Sequence, residues 1–312
     1  KGLQNSECRH LEGFLVVGLS WVVISLISAI PFYWVNPGAI AFIDLWMESV
    51  SALTTTGIEW IGDIGNWPIA LLWYRQQLEW VGGVGIIIMM ISLLTLHEGT
   101  LLSIYNGEFG RDVRDVRITP RLEKTAQYVC CIYGVLWLLC ALGYYLAGVP
   151  WLYALMESMA TVSTGGYSLD SLVPIYHSTL CQWIAIVFMV LGATGFHTHY
   201  QAFCQRSLRW YVQQTEFKML LKILVFASAL VVMLTWTMAP VYDLSMVVFE
   251  VAAFATTTGF QTEIHTSSAF VLVLFALLGI GGACSGSTAG GLKLVRVHVL
   301  FQEAKSLLMR LL

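Results

Sequence analysis

Residues 250–260 read Glu250-Val251-Ala252-Ala253-Phe254-Ala255-Thr256-Thr257-Thr258-Gly259-Phe260, and the chain carries this pattern three times. The earlier copies are Glu48-Ser49-Val50-Ser51-Ala52-Leu53-Thr54-Thr55-Thr56-Gly57-Ile58 and Glu157-Ser158-Met159-Ala160-Thr161-Val162-Ser163-Thr164-Gly165-Gly166-Tyr167. In each, a glutamate stands nine residues before the aligned glycine, the residues between are small or apolar, and a bulky residue follows. One such Thr/Gly cluster alone reads as a helix C-terminus, where glycine is common. Three aligned copies read instead as an internal repeat, which is a statement about architecture.

Outward from each cluster the surroundings repeat as well. Each is preceded by an apolar, helix-compatible stretch too short to cross a bilayer, which suggests a re-entrant half-helix. Longer apolar stretches flank them near 11–34, 68–96, 126–148, 180–203, 219–240 and 269–300, giving six expected spans. Glycine-containing runs follow about 25 residues past each aligned glycine: Gly82-Gly83-Val84-Gly85, Gly192-Ala193-Thr194-Gly195 and Gly281-Gly282-Ala283-Cys284. The repeated unit is therefore span, half-helix, loop, span, occupying 11–96, 125–206 and 217–312, with 97–124 as a connection. The first span is too long for a signal peptide and has no small-residue cleavage site.

Composition agrees with a lipid environment. Of 312 residues 57% are hydrophobic and only 11% charged, with mean hydropathy +0.73, against about a quarter charged in soluble domains. The seven cysteines (Cys8, Cys130, Cys131, Cys140, Cys181, Cys204, Cys284) form no CxxC pair and read as small core residues. Lysine and arginine cluster before span 1, between spans 2 and 3, around the connection of spans 4 and 5, and from Lys293 onward; Arg75 alone lies elsewhere. The opposite connections, 35–67, 149–179 and 241–268, hold no base but carry Asp44, Glu48, Glu59, Asp63, Glu157, Asp170, Asp243, Glu250 and Glu263. The positive-inside rule then puts both chain ends in the cytoplasm and the acidic loops outside. Acids without bases at the outer mouth attract cations and disfavour anions.

The repeated loops suit a dehydrated cation. Such an ion needs a ring of oxygens in place of its water, and inward backbone carbonyls from several loops supply one. Glycine permits the backbone angles that aim carbonyls one way, and threonine and serine hydroxyls add oxygens. A half-helix also points its negative C-terminal end at the loop that follows it. The candidate ion-binding residues are Thr54, Thr55, Thr56, Gly57, Ser163, Thr164, Gly165, Gly166, Thr256, Thr257, Thr258 and Gly259. Glu48, Glu157 and Glu250, about two turns before each glycine, are expected to support the loop from behind, with ion ligation the alternative.

The loop strings, the Gln77-Leu78-Glu79-Trp80-Val81-Gly82-Gly83-Val84-Gly85 stretch and the run from Gly281 to Lys293 together resemble the Trk/Ktr/HKT superfamily of potassium transporters, with the bacterial TrkH branch nearest in pattern. The likeness covers nearly the whole chain. It implies an all-α polytopic membrane protein of repeated helix, pore-loop, helix units around an ion pore, three of an expected four being present here. Beginning at Lys1 and ending in an apolar run, the chain is expected to be a partial sequence. The resemblance further implies potassium uptake across the plasma (bacterial inner) membrane, K+ as transported ion with no covalent cofactor, a homodimer, and a cytoplasmic nucleotide-binding regulatory ring resembling TrkA. It also implies an intramembrane gating loop in span 6, made by Gly281, Gly282, Cys284, Ser285, Gly286, Ser287, Thr288, Gly290, Gly291 and Lys293. Glycine and serine in mid-span break a helix, which is tolerated at depth where backbone lines a cavity or is buried in protein.

Several competing readings were weighed. The Gly281–Lys293 run is not a nucleotide P-loop, because leucine follows Lys293 and no strand precedes it. Lys293 is expected near the inner mouth, opposing a cation or bonding a carbonyl, or else simply interfacial. His197 and His199 point about 200° apart on a helix, so interfacial histidines are expected rather than a metal site. Arg75 and Glu79, four apart in span 2, can pair on one face or brace an acidic half-helix. A sodium-permeable or ion-coupled symporter and a non-conducting structural subunit are the alternatives in function; glycine at 57, 166 and 259 favours potassium. An intramembrane enzyme would need a converging nucleophile and base or an HExxH-type motif, and the sequence has none.

Overall fold

Helix length decides which apolar stretches cross a bilayer and which turn back, since a crossing takes about 20 residues. The computed structural model describes residues 2–35, 40–61, 67–96, 122–169, 172–173, 175–236, 243–262 and 268–311. Within them the chain forms twelve helices and no strand: α1 (Gly2–Val35), α2 (Phe42–Leu53), α3 (Ile69–Leu96), α4 (Leu122–Leu146), α5 (Trp151–Ser163), α6 (Thr179–Gly192), α7 (Phe196–Cys204), α8 (Arg209–Gln213), α9 (Thr215–Trp236), α10 (Leu244–Ala255), α11 (Ala269–Gly281) and α12 (Leu294–Leu311). Long apolar segments lie at Leu15–Val35, Lys124–Leu146 and Thr215–Leu234. The helices α2, α5 and α10, of 12, 13 and 12 residues, are each a half-crossing.

Each half-helix sits between the spans on either side of it in sequence. Thus α2 packs on α1 and α3, α5 on α4, α6 and the preceding α3, and α10 on α9, α11 and α6. Large apolar side chains on the outer faces remain exposed, among them Val23 and Ile27 of α1, Leu138 and Leu142 of α4, Val225 and Phe226 of α9 and Val273 and Ile280 of α11. The interior holds instead an unusual share of polar groups: Glu48, Arg75, Gln76, Glu79, Glu157 and Glu250 are all fully buried. Apolar outside with polar inside is the arrangement lipid demands.

The three glycine runs behave differently. Gly82 to Gly85 leave α3 continuous. Span 4, expected as one helix over 180–203, breaks at Ala193–Gly195, and α7 leaves at 94° to α6. Span 6 breaks as expected, α11 stopping at Gly281 and α12 resuming at Leu294. The physical reason for the extra break is the loop beside it: Cys284 N donates to Ala193 O at 3.2 Å, and Phe196 N donates to Gly286 O at 3.0 Å. Backbone groups freed by one break are satisfied by the other. The connection 97–121, and with it Arg111, Arg114, Arg117 and Arg121, lies outside the described residues, as do Asp63, Asp170 and Glu263.

In α3 the glycine has a different task. A Cβ on Gly82 would lie 1.9 Å from the carbonyl oxygen of Leu53, the last residue of α2. Gly82→Ala is therefore expected to push α3 off α2 and cost about 1–3 kcal/mol, as overpacking does. Gly134→Ala on α4, where a Cβ meets nothing within 4 Å, should leave the thermal midpoint in detergent unchanged or slightly raised. Equal midpoints for the two variants would refute this account of the α2–α3 contact.

Candidate functional site

All three half-helices end in the same way. Backbone N–H groups fold back from Thr56 to Ser51 O (2.9 Å), from Gly165 to Ala160 O (3.2 Å) and from Thr258 to Ala253 O (2.8 Å). Bonds of shorter sequence span run from Thr55 N to Ala52 O, Thr164 N to Thr161 O and Thr257 N to Phe254 O at 3.0, 3.4 and 3.1 Å. This is the Schellman arrangement, which needs a left-handed residue usually filled by glycine. Here threonine fills it: φ is +52° at Thr55, +53° at Thr164 and +57° at Thr257. A β-branched residue in that region is a true outlier and marks a place where strain is held for function. Two residues later the aligned glycines also have positive φ, +71°, +93° and +81° at Gly57, Gly166 and Gly259.

The double reversal leaves in each unit a short non-helical segment, called a strand below although it joins no sheet. Among the described residues, no carbonyl of Thr55–Gly57, Thr164–Gly166 or Thr257–Gly259 accepts a hydrogen bond. Hydroxyls tie the strands to their helices: Thr54 Oγ1 donates to Val50 O and Thr256 Oγ1 to Ala252 O, both at 2.7 Å. Ser163 Oγ donates to Ala160 O at 3.2 Å. The strands touch in order. A Cβ on Gly57 would lie 2.0 Å from Gly165 O, and one on Gly166 would lie 2.1 Å from Thr258 O. For Gly259 nothing described lies within 4 Å. The structure thus brings all twelve expected loop residues into one arc of three neighbouring strands.

The glutamates face away from the strands. Glu48 accepts from Trp60 N (2.9 Å), Glu157 from Leu169 N (2.8 Å) and Glu250 from Thr262 N (3.3 Å), each contact spanning twelve residues. Every carboxylate therefore holds the chain three residues beyond its aligned glycine, behind the strand. Glu157 also accepts from Tyr176 OH at 2.7 Å.

Arg75 and Glu79 do not form the direct pair that their spacing permits. Arg75 Nε bonds Glu48 at 2.7 Å with both side chains fully buried, Nη2 lies 3.5 Å from Glu59, and the guanidinium stacks 3.5 Å above the Tyr167 ring. The alternative reading, a brace on an acidic half-helix, describes the geometry. Glu79 Oε1 instead accepts from Tyr167 N at 3.2 Å, and Gln76 Nε2 donates to Tyr167 O at 2.9 Å. Gln76 and Tyr167 were not singled out from sequence; a glutamine inside an apolar span, costly unless bonded, was the available signal.

The residues from Gly281 to Lys293 form an irregular loop wedged against two of the strands. Thr164 Oγ1 donates to Thr288 Oγ1 at 3.1 Å, and Thr288 Oγ1 reaches Gly192 O at 3.0 Å. Gly290 N donates to Thr257 Oγ1 at 2.6 Å. Left-handed residues Gly282, Gly286, Gly291 and Lys293 shape the turn-backs. Ser287 Oγ caps Cys284 O at 2.6 Å, and Ser285 N donates to Glu216 Oε2 at 2.5 Å from the start of α9. Lys293 Nζ donates to Ala289 O within its own loop. His199 is buried in the protein, with Nδ1 2.7 Å from Tyr211 OH and Nε2 3.0 Å from Leu191 O, where α7 leaves α6 at 94°. Among the described residues no three His, Cys, Asp or Glu side chains gather as a metal site.

Comparison with known proteins gives a consistent result. A family model, TrkH, described as a cation transport protein, matches residues 3–310. The Trk system potassium uptake protein TrkH of Halomonas elongata is 35% identical over 98% of this chain and 64% of its own length. That of Salmonella typhimurium is 32% identical over 99% and 65%. The crystal structure of the potassium transporter TrkH from Vibrio parahaemolyticus superposes with TM-score 0.84 at 31% identity, covering 96% of this chain and 62% of that one. The chain thus spans less than two thirds of the length of each of these relatives.

Arg75→Met would leave the Glu48 carboxylate buried beside Tyr167 without its counter-charge, at a cost of about 3–5 kcal/mol. The expected result is a lowered unfolding midpoint in detergent, largely restored by adding Glu48→Gln. A single variant as stable as wild type would show that the pair is incidental.

Proposed function

The chain belongs to the TrkH family of cation transport proteins, and from that premise we propose that it carries potassium ions across the plasma (bacterial inner) membrane through a gated pore. One observation carries the proposal: among the described residues the carbonyls of Thr55–Gly57, Thr164–Gly166 and Thr257–Gly259 accept no hydrogen bond inside a frame of apolar helices. A backbone carbonyl without a partner at membrane depth is costly, and a desolvated cation is the partner that would satisfy several at once. The strands Thr54–Gly57, Ser163–Gly166 and Thr256–Gly259 are the filter in this reading. The C-terminal ends of α2, α5 and α10 lead into it, so their dipoles favour positive charge. The relatives named as potassium uptake proteins support K+ as the substrate.

In the same proposal the loop from Gly281 to Lys293 is the gate. It is bonded to filter residues Thr164 and Thr257 through Thr288 and Gly290, and its left-handed glycines are the places where it can swing. The basic connections face the cytoplasm, and both ends of this chain lie there. A second copy of the protein and a cytoplasmic nucleotide-binding ring resembling TrkA are the proposed partners, in keeping with relatives named as parts of a Trk system.

The deciding experiment is rubidium uptake into liposomes by the full-length gene product, with potassium and sodium as competitors. Gly259→Ser is the informative variant, because serine is strained at φ +81° whatever the space around it. Potassium-blocked uptake in wild type and at least about tenfold weaker discrimination against sodium in the variant is expected, about 1.4 kcal/mol. No uptake by wild type, or a variant that discriminates equally well, would overturn the filter reading.

The gate has its own test. Thr288→Val removes the hydroxyl that ties the loop to Thr164 and Gly192 while keeping its shape. Initial uptake should rise several-fold with the potassium-to-sodium preference unchanged; an unaltered rate would remove this loop as the gate.

A further inference from the structure

The three filter strands are alike in backbone but not in what lies behind them. After the glycine the residues are Ile58, Tyr167 and Phe260. The backbone N–H groups of Ile58 and Phe260 donate to nothing among the described residues, whereas that of Tyr167 donates to Glu79 Oε1 at 3.2 Å. Glu79 belongs to α3, the span of the preceding unit, and is fully buried. Aligning Gly82 with Gly192 places Ala185, Ile186 and Met189 of α6 where α3 has Arg75, Gln76 and Glu79. The polar clamp is therefore a property of one junction.

A trans peptide is planar, with its N–H and C=O pointing to opposite sides. Tyr167 N and Gly166 O belong to one such peptide, and no cis bond occurs among the described residues. When Glu79 accepts from Tyr167 N on the α3 side, Gly166 O is turned to the opposite side, where it accepts no hydrogen bond from the described residues. Three further contacts keep residue 167 from rotating. Gln76 Nε2 holds Tyr167 O at 2.9 Å, Arg75 covers the ring at 3.5 Å, and Tyr167 OH donates to Ile58 O at 3.1 Å in the neighbouring unit. A carboxyl oxygen carried on a buried helix is an acceptor fixed in place, which suits a peptide that must not flip. The second oxygen, Glu79 Oε2, has no hydrogen-bond partner among the described residues. A buried carboxylate half unsatisfied is a costly feature, and such features mark functional places.

Resting on the filter reading above, we infer that Glu79 is a specificity-determining positioning residue: by accepting the Tyr167 N–H it aims the Gly166 carbonyl at the ion and so sets the filter's preference for potassium over sodium. Discrimination between two ions of equal charge depends on the size of the oxygen cage or on the number and field of the carbonyl dipoles aimed into it, both of which change if Gly166 O turns away, and among the described residues strand 2 has a hold that strands 1 and 3 lack.

The test uses the full-length gene product in liposomes and reads the ratio of potassium to sodium concentrations that half-inhibit rubidium uptake. Glu79→Met keeps the length, removes the acceptor and reproduces what α6 carries at the matching place, Met189. Its ratio should fall by at least about tenfold, or 1.4 kcal/mol, with the maximal rubidium rate less affected. Glu79→Gln keeps an oxygen within reach and should stay within about threefold of wild type. Should the methionine variant fail to elute as folded protein, Glu79→Asp, whose carboxylate is withdrawn by one methylene, carries the same expectation. A merely structural brace would lower the rates for all ions together and leave the ratio alone. A wild-type ratio in the methionine or aspartate variant, or a glutamine variant as impaired as methionine, overturns the role of Glu79 while leaving the filter reading intact. Wild-type protein without potassium-blocked uptake is the distinct result that overturns the filter reading itself.

Discussion

The constraint beneath the whole structure is that lipid offers backbone groups no water. Helices meet it by pairing every interior N–H and C=O within the segment, and here three short strands decline to do so. Each strand carries a threonine forced left-handed, at a cost of about 1–2 kcal/mol, and leaves carbonyls without hydrogen bonds from the described residues. Such strands persist only if their surroundings over-determine them. The surroundings do so in three ways: back-bonds from the strand to its half-helix, a buried glutamate holding the chain twelve residues on, and contact so close that a single Cβ would collide with the next strand. Removal of any one of these lets the others relax, so the site is a cooperative unit, not a set of independent contacts.

How much of this was legible in the sequence depends on how local each cause is. The half-helices and the glycine ending were readable because Glu, small residues and glycine recur at fixed offsets, and the offset from glutamate to glycine is a property of one helix and its cap. The left-handed threonines were not readable, since positive φ is normally assigned to glycine and the cost at threonine is met by tertiary contacts. Arg75 illustrates the same boundary. Its spacing to Glu79 is a local fact that permits a pair, yet the carboxylate it bonds is Glu48, 27 residues away. Gln76, Tyr167 and Glu216 act across units and give no periodic signal at all. The buried His199 follows from the 94° turn between α6 and α7, which no window of sequence contains.

The two broken spans explain one another. Helix α6 ends at Gly192 and α11 at Gly281, and each break releases backbone groups that a membrane cannot satisfy. Cys284 and Phe196 donate across the gap to Ala193 and Gly286, so the freed groups become the cement between units two and three. Only the second break was expected, because its run of glycine and serine is long; Ala193-Thr194-Gly195 is short enough to remain helical unless a neighbour supplies bonds. The break in span 4 is thus a consequence of the break in span 6.

Placed together, these features divide the junctions by chemistry. Between units one and two lies a charged clamp: Arg75, Gln76 and Glu79 grip Tyr167 from behind, with every contact buried and ring stacking added. Between units two and three the ties are hydroxyl and backbone bonds, from Thr288 to Thr164 and Gly192, from Cys284 to Ala193 and from Phe196 to Gly286, neutral contacts of the kind worth about 0.5–1.5 kcal/mol each. A charge-assisted junction resists rearrangement, whereas a neutral one at the edge of a glycine-rich loop can be broken and remade at small cost. A chain that must hold one geometry while moving another needs both, and the repeat supplies a common frame in which one junction can carry charge and the next can carry glycine.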